Sequence, residues 1–294
     1  MDGVLLVDKP AGIGSAEVVR KIKAHLRPAR VGHLGTLDPF ATGLLPILVG
    51  EATKLAPFLQ DAEKEYAGVI RLGVETDTLD PTGGVVRDAE IPVLDPAPLA
   101  EVTARFTGKI VQQPPVFSAI KRAGVPLYKL ARRGVKVEPP PPREVEISRL
   151  EIAPLAPAAL RFVAVCSTGT YMRALARDVG LALGTVAHLA ELRRIRSGCL
   201  GLERARPLDE VLAALAEGRG SELLIGLSEA LATMPEAQAG PVEERMLRNG
   251  DSRALDGLAP AGTRLFKVVS RGRLIAVAEA TSRVTARVLR VFAQ

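Results

Sequence analysis

The sequence alternates short apolar runs of strand length with single amphipathic helices, in no repeating order. Runs such as "GVLLVDK", "LLPILVG" and "EYAGVIRLG" are typical of strands, whereas "SAEVVRKIKAHL" carries apolar side chains at helical spacing. A doubly wound parallel sheet needs a regular strand–helix repetition. The irregular order therefore predicts an α+β fold with a mixed, mainly antiparallel sheet, helices around it and a central cleft.

Local signals place some element ends. Ser15 is predicted to cap the first helix, whose apolar stripe would be Val18, Ile22 and Leu26. A glycine turn after "LRFVAVC" predicts a further helix that begins near Thr170.

A length of 294 residues is typical of about two domains. The last stretch contains three strand-like runs separated by turns, "RLFKVVS", "RLIAVAEA" and "ARVLRVF". We therefore expect a large domain over residues 1–237 and a small β domain over residues 238–294.

Arginine outnumbers lysine in a chain of net charge +6, which favours polyanionic partners because guanidinium groups match phosphate geometry. Several separate basic islands are better suited to a phosphate backbone than to a small anion. The three islands are Lys21, Lys23, Arg27 and Arg30; Arg132, Arg133 and Lys136; and Arg193, Arg194 and Arg196. The candidates for base stacking are Tyr66, Tyr128 and Tyr171.

Cysteine and histidine are too sparse for a zinc site or a disulfide framework, with two cysteines and three histidines in the chain. Asp77 and Asp80 in "TDTLDPTGG" are compatible with a magnesium site, but this composition is also that of an ordinary turn, which we favour. No apolar run is long enough to span a bilayer, and the first residues lack signal-peptide features. We expect a cytoplasmic protein that needs no cofactor or metal.

The segment "HLGTLDPFATGLLP" carries one acidic side chain, Asp38. An Asp before Pro is compatible with a plain turn, and a reactive carboxylate on a loop is the alternative. A nucleophilic carboxylate among apolar neighbours needs a cation nearby, because burial alone raises its pKa. Arg173 is the candidate partner, and a solvated charge in the first turn of a helix is the competing interpretation for it.

Seven segments occur in the order found in one enzyme family. They are "GHLGTLDPFATGLLP", "GEATK", "KEY", "GVETDTLDPTG", "PPVFSAIKRAGVPLYKLARRG", "CSTGTYMRALARDVG" and "LRRIRSG". Over most of residues 3–200 the chain resembles the bacterial tRNA pseudouridine synthase B family. The C-terminal module resembles, more loosely, the RNA-binding PUA-type domain of that family.

The resemblance implies roles for particular residues. It implies that Asp38 is the nucleophile, that Tyr66 stacks on the target base and that Arg173 pairs with Asp38. The remaining residues that it implies, all at the substrate, are His33 beside the extruded nucleotide, Tyr171 and Leu192 in the pocket wall, and Lys9 and Thr36. We add the hypothesis that the Tyr66 hydroxyl takes the C5 proton.

The chain departs from the family pattern at Gly14, Met172 and Leu200, where Thr or Ser, Ile and an aromatic residue are the commoner choices. None of the three carries a chemical role.

The resemblance implies conversion of uridine 55 in the T loop of tRNA to pseudouridine, by a monomer without guide RNA. Three alternatives remain: an RNA-folding helper without essential catalysis, a guide-dependent relative of the dyskerin type, and metal-dependent phosphoryl chemistry at Asp77 and Asp80. Activity on bare tRNA, the behaviour of an Asp38→Asn variant and the effect of a chelator separate them.

Overall fold

A computed structural model describes residues 1–26, 29–118, 120–122, 124–127, 137–282 and 285–293. The helices within these ranges are α1 (Ser15–His25), α2 (Ala56–Leu59), α3 (Pro96–Arg105), α4 (Met172–Ala182), α5 (Leu208–Ala216), α6 (Leu227–Ala230) and α7 (Pro241–Arg248). The strands of the first half are β1 (Gly3–Lys9), β2 (Val31–His33), β3 (Thr42–Val49), β4 (Lys64–Leu72), β5 (Val74–Thr76), β6 (Val85–Asp88), β7 (Gly108–Gln112), β8 (Lys121–Arg122) and β9 (Val125–Pro126). The strands of the second half are β10 (Arg143–Ala156), β11 (Ala159–Cys166), β12 (Ala187–Ser197), β13 (Leu200–Gly201), β14 (Arg206–Pro207), β15 (Leu224–Ile225), β16 (Glu236–Gln238), β17 (Leu265–Ser270), β18 (Arg273–Ala280) and β19 (Ala286–Val291).

The main sheet has eleven strands among the described residues. Eight of them follow one another in the order β14-β1-β3-β12-β4-β11-β10-β7, and β2, β13 and β15 pair off this path with β3, β12 and β1. The pairs β1–β14 and β12–β3 are parallel, and the other pairs described in this sheet are antiparallel. This confirms the predicted α+β class with a mixed, mainly antiparallel sheet.

The centre of the sheet positions the functional residues. Strand β12 lies between β3 and β4, and α4 packs against β12. One face of β4 enters the core, with Tyr66, Ile70 and Leu72 all buried. The loop that carries Asp38 joins β2 to β3, so it ends beside β12.

The C-terminal sheet has the order β16-β17-β18-β19. The three predicted strands are present as β17, β18 and β19, whereas β16 and α7 were missed because each is short or mostly polar. Leu274, Val277 and Phe292 share a hydrophobic cluster with residues of β1 and β3, so this sheet packs directly against the main one.

The prediction that Ser15 caps α1 is wrong. Gly14 occupies the cap position, and no side chain caps the helix. The Ser15 hydroxyl instead donates to the Leu37 carbonyl at 3.1 Å and accepts from the Leu37 amide at 2.8 Å. A long-range tertiary contact has displaced the local one. The predicted apolar stripe of α1 is confirmed, since Val18 and Ile22 are fully buried and Leu26 packs, partly buried, against the same core.

Several residues singled out in the sequence fall outside the described residues: Arg27 in the first basic island, the whole island of Arg132, Arg133 and Lys136, and Tyr128. No helix in the described part of the chain combines the length and the apolar character that a bilayer crossing requires.

Candidate active site

The loop between β2 and β3 is held from behind by side chains. Ser15 fixes both backbone polar groups of Leu37. The ammonium of Lys9, which is fully buried, donates to the carbonyls of Pro10, Ile13 and Pro39 at 2.7, 2.8 and 3.3 Å. Asp38 therefore lies between two residues whose backbone is anchored, and its side chain has little freedom to move with the loop.

Arg173 pairs with Asp38 at the start of α4. The Arg173 Nε atom lies 2.9 Å from Asp38 Oδ2, and Nη2 donates to Oδ1 at 3.3 Å. The Arg173 side chain is 5% exposed and that of Asp38 is 33% exposed. The interpretation of Arg173 as a solvated charge is wrong, because its guanidinium is buried against the carboxylate.

Arg173 is held in place by further contacts. Its Nη1 atom donates to the Thr78 carbonyl at 2.8 Å, and Nη2 donates to the Phe117 carbonyl at 2.7 Å. Nη1 also lies 3.6 Å from a carboxylate oxygen of Asp80. The guanidinium thus bridges two carboxylates and contacts two loops. Of the two acids, Asp38 is the more exposed.

Two opposing effects act on Asp38. Burial raises the pKa of the Asp38 carboxyl above its ordinary value, and the adjacent Arg173 charge acts most strongly against that rise. The negative charge of Asp80 adds to the increase, and Lys9 opposes it weakly. The carboxylate is thus poorly solvated and held by one guanidinium, which is a favourable environment for a nucleophile.

Asp80 is engaged in the turn predicted for its segment. Its Oδ1 atom accepts hydrogen bonds from the Thr78 hydroxyl at 2.7 Å and from the amide and hydroxyl of Thr82 at 2.9 and 2.6 Å. Its other oxygen faces Arg173. In the part of the chain that the structure describes, no group of three His, Cys, Asp or Glu side chains is arranged to hold a metal ion.

A cavity of about 300 Å³ opens in front of Asp38. Six of the predicted site residues line it together: Thr36, Asp38, Tyr66, Tyr171, Arg173 and Leu192. The volume lies at the lower end of the range of small-ligand sites, and apolar and charged groups both line the wall.

Lys9 and His33 do not line this cavity. Lys9 was predicted to contact substrate. Its ammonium is instead fully buried behind the loop and donates to backbone carbonyls. His33 is half-buried at the end of β2, and its Nδ1 atom has no hydrogen-bond partner among the described residues. Burial lowers the pKa of His33, and the positive charge of Arg194 lowers it further, which favours the neutral imidazole.

Tyr66 forms one wall of the cavity from the middle of β4. Only 8% of the residue is exposed. Burial raises the pKa of the Tyr66 hydroxyl, and the positive charge of Arg194 acts in the opposite direction. The ring therefore presents a fixed surface to the cavity.

Tyr171 is fixed by a residue that sequence reasoning missed. Gln112, fully buried on β7, accepts from the Tyr171 amide at 2.8 Å and donates to the Tyr171 carbonyl at 3.1 Å. Arg143 lies over the Tyr171 ring, with 4.7 Å between the guanidinium carbon and the ring centroid, a cation–π arrangement. The Tyr171 backbone and ring are thus held from two sides.

The cavity is also lined by residues that were not predicted as site residues, among them Lys64, Ser118, Arg143 and Arg194. The prediction that Arg194 belongs to a surface island is wrong, because only 1% of the residue is exposed. In "LRRIRS" the strand alternation places Arg194 on the same buried face as Leu192, whereas Arg193 is only partly buried. That period of two was the signal available in the sequence.

The comparisons with known proteins agree with this architecture. The model of the TruB family pseudouridylate synthase N-terminal domain matches residues 23–172, and that of the tRNA pseudouridylate synthase B C-terminal domain matches residues 173–234. Among solved structures, a chain in "Crystal Structure of a Cbf5-Nop10-Gar1 Complex" is 26% identical, with a TM-score of 0.77, covering 99% of this chain and 85% of that one.

Curated relatives are closer in sequence. The tRNA pseudouridine synthase B of Geobacter sulfurreducens is 41% identical, covering 99% of this chain and 100% of the relative. That of Bordetella avium is 45% identical, covering 78% of this chain and 93% of the relative. The fold, with its Asp38–Arg173 pair at the cavity, is of the pseudouridine synthase class. The chain belongs to the TruB family.

Proposed function

We propose that this chain converts uridine to pseudouridine in tRNA, at position 55 of the T loop. The observation that carries the proposal is the Asp38–Arg173 pair at the mouth of a cavity walled by Tyr66, in a chain of the TruB family. The relatives named above as tRNA pseudouridine synthase B support tRNA as the substrate.

The reaction is an isomerisation. The bond from C1′ to N1 breaks, a bond from C1′ to C5 forms, C5 loses a proton and N1 gains one. Asp38 assists by attacking either C6 of the base or C1′ of the ribose, and its carboxylate must be ionised for both. Arg173 keeps this charge compensated while leaving the carboxylate partly exposed to the cavity.

The uridine must leave the RNA stack to reach Asp38. Extrusion of a nucleotide costs a few kcal/mol, and stacking on an aromatic ring returns roughly 1–3 kcal/mol. Tyr66 is the ring that we assign to this stacking, with Tyr171 and Leu192 around the base. We assign the final C5 proton to the Tyr66 hydroxyl, directly or through water.

The exposed cations of the chain are suited to the RNA backbone. Lys21, Lys23 and Arg30 are exposed on and after α1. Arg193 and Arg196 are more engaged, since they pair with Asp8 and Glu65 at 2.6 and 3.1 Å. We assign the first group to phosphate contacts outside the target loop, which make binding salt-dependent.

We further propose that residues 1–237 form the catalytic domain and that residues 238–294 form a PUA-like RNA-binding domain. Strands β17, β18 and β19 of the four-stranded sheet lie within residues 238–294, and with the exposed guanidinium groups of Arg264 and Arg287 they support a separate module there. Strand β16, Glu236–Gln238, lies across the proposed boundary. Charge reversal at both arginines should weaken tRNA binding and reduce its salt dependence, without lowering the rate at saturating enzyme.

The proposal includes a monomer that acts in the cytoplasm without a guide RNA. Its test is to incubate the purified chain with an unmodified tRNA transcript, without other protein or RNA, and to map pseudouridine before and after. We expect conversion at position 55 alone, unaffected by a chelator. No product, product at another uridine, or a requirement for added RNA would contradict it.

A further inference from the structure

Arg194 is a buried cation whose hydrogen bonds go to backbone carbonyls. Its neighbours on β12, Arg193 and Arg196, pair with carboxylates, whereas the two hydrogen bonds of Arg194 go to the carbonyls of Leu44 and Gly35. Burial of a guanidinium is costly unless its surroundings compensate the charge. A neutral apolar side chain would fill this position at lower cost if filling space were its only task.

The two carbonyls lie on opposite sides of Asp38 in the chain. Arg194 Nε donates to the Leu44 carbonyl at 2.7 Å, and Nη2 donates to the Gly35 carbonyl at 3.1 Å. Leu44 lies in β3, and Gly35 lies in the irregular segment that precedes Asp38. One planar group therefore ties together the chain before and after Asp38.

Arg194 is also the direct cross-strand partner of Tyr66. The two residues are paired in the register of β12 with β4, and both line the cavity. Paired positions in an antiparallel sheet place Cβ atoms about 5 Å apart on the same face. Arg194 thus contacts the Asp38 loop through hydrogen bonds and lies beside Tyr66 on the neighbouring strand.

The backbone of Arg194 is held as tightly as its side chain. A Cβ atom at Gly43 would lie 2.4 Å from the Arg194 carbonyl oxygen and 2.7 Å from its nitrogen, and Gly43 has φ of +97°. Only glycine allows this approach of β3 to β12. The guanidinium is therefore anchored in the sheet, and the element that it restrains is the loop.

We propose that Arg194 is a positioning residue of the isomerisation, which holds the Asp38 loop and the Tyr66 side chain in a fixed mutual arrangement. The inference rests on the proposed function, because both groups that Arg194 restrains are assigned to the reaction. A displacement of about 1 Å between such groups costs roughly 100-fold in rate.

The charge of Arg194 adds an electrostatic effect on Tyr66. Burial is the main cause that raises the pKa of the Tyr66 hydroxyl, and Cys166 and Asp38 add to the increase. Arg194 is the group that opposes them, chiefly through its positive charge. Removal of the guanidinium therefore moves the pKa of the phenol further upward.

The test compares Arg194→Met and Arg194→Lys with the wild type in single-turnover assays on tRNA. We expect Arg194→Met to lower the rate at saturating enzyme roughly 100-fold, with the Kd for tRNA changed less than about threefold. Arg194→Lys keeps the charge but loses the fork, so it should recover part of the rate. In the pH range where the single-turnover rate of the wild type rises, Arg194→Met should shift that rise to higher pH. Arg194→Lys should shift it in the same direction by a smaller amount.

Arg177→Met is the matched control. Arg177 also donates from a partly buried guanidinium to a backbone carbonyl, that of Gln113 at 3.1 Å, but it does not line the cavity. Its loss should leave the rate and the pH profile unchanged. Thermal unfolding of each variant separates a lost fold from a lost arrangement, and Arg194→Lys carries the test if Arg194→Met does not fold.

A double-mutant cycle with Tyr66→Phe gives the decisive readout. If Arg194 acts partly through the Tyr66 hydroxyl, the combined effect of both changes is smaller than the product of the single effects. Wild-type rates and an unshifted pH profile in both Arg194 variants would overturn the inference while leaving the function intact. Absence of pseudouridine formation by the wild-type chain would instead overturn the proposed function.

Discussion

The Asp38 loop and the C-terminal sheet use the same charged side chains in opposite ways. Around the loop, Lys9 and Arg194 are buried and donate to backbone carbonyls. On the C-terminal sheet, Arg264 and Arg287 are exposed and share the carboxylate of Glu279, at 2.9 and 2.8 Å from their Nε atoms.

The difference follows from where the backbone polar groups find partners. The C-terminal strands satisfy most of theirs by pairing with one another, and Arg264 and Arg287 stay at the surface, whereas Lys267 is the buried cation of this sheet. The loop before β3 makes few backbone hydrogen bonds of its own, and buried side chains must supply donors to its carbonyls. Buried cations in the first region therefore determine position, whereas exposed cations in the second region contribute mainly to the surface field.

The largest expected effect is at the reacting group that the loop presents. Asp38→Asn keeps the shape of the side chain but removes the nucleophile, so the single-turnover rate should fall on the order of 10⁴-fold or more. Binding of tRNA, measured by filter retention, should stay within a few-fold of wild type. Measurable pseudouridine formation by this variant would refute the role of Asp38 as the nucleophile. It would also refute the interpretation that the side chains holding its loop position a reacting group.

The comparison predicts that two buried lysines differ in their importance for stability. Lys9→Met leaves carbonyls of the loop without a donor, which should lower the free energy of unfolding by about 2–4 kcal/mol. Lys267, on β17, bonds the Ser228 carbonyl and pairs with the partly exposed Glu236, so Lys267→Met should cost only about 1 kcal/mol. Equal losses of unfolding free energy in the two variants, measured by urea unfolding, would contradict the difference that we draw between the two regions.

The stability contributed by Lys9 should depend on pH. Burial lowers the pKa of Lys9 from 10.5 to about 8, so the unfolded chain binds more protons than the folded one between these values. Stability attributable to Lys9 therefore rises as pH increases from about 8 to 10.5. The difference in unfolding free energy between wild type and Lys9→Met, measured across this window, should rise with pH and stay flat below it.

The smallest effect is expected on the exposed side of the comparison. Glu279→Gln removes the charge that Arg264 and Arg287 share, but both arginine side chains are more than half exposed to water. Exposed ion pairs contribute little to stability, so the free energy of unfolding should change by less than about 1 kcal/mol. A loss as large as that of Lys9→Met would place this cluster among the structural supports instead of the surface charges.

Much of the fold could be predicted because hydrophobic spacing is a local property. The strands around Leu5, Ile47 and Ile70 were visible as apolar runs, and all three residues are fully buried. The requirement that a carboxylate in an apolar setting needs a cation made Arg173 a candidate partner of Asp38, with a solvated charge as the competing interpretation. The motif order that resembles the family led to the same pair.

The supports of the site could not be predicted in the same way. Ser15 had a good local reason to cap a helix, yet its hydroxyl binds Leu37, 22 residues away. Arg194 stood in a basic run typical of a surface, yet it reaches Gly35 across 159 residues of chain. A side chain that completes a distant loop leaves no periodic signal in its own neighbourhood.

The amino-acid order alone predicted the longer strands of both sheets, the segment that carries the candidate acid Asp38 and the need of such an acid for a cationic partner. The tertiary structure alone decided which polar side chains are buried behind the loop, because the loop's unsatisfied carbonyls appear only when β2, β3 and β12 come together. Hydrogen-bond satisfaction across the chain, not local propensity, assigned Lys9, Ser15 and Arg194 to their places.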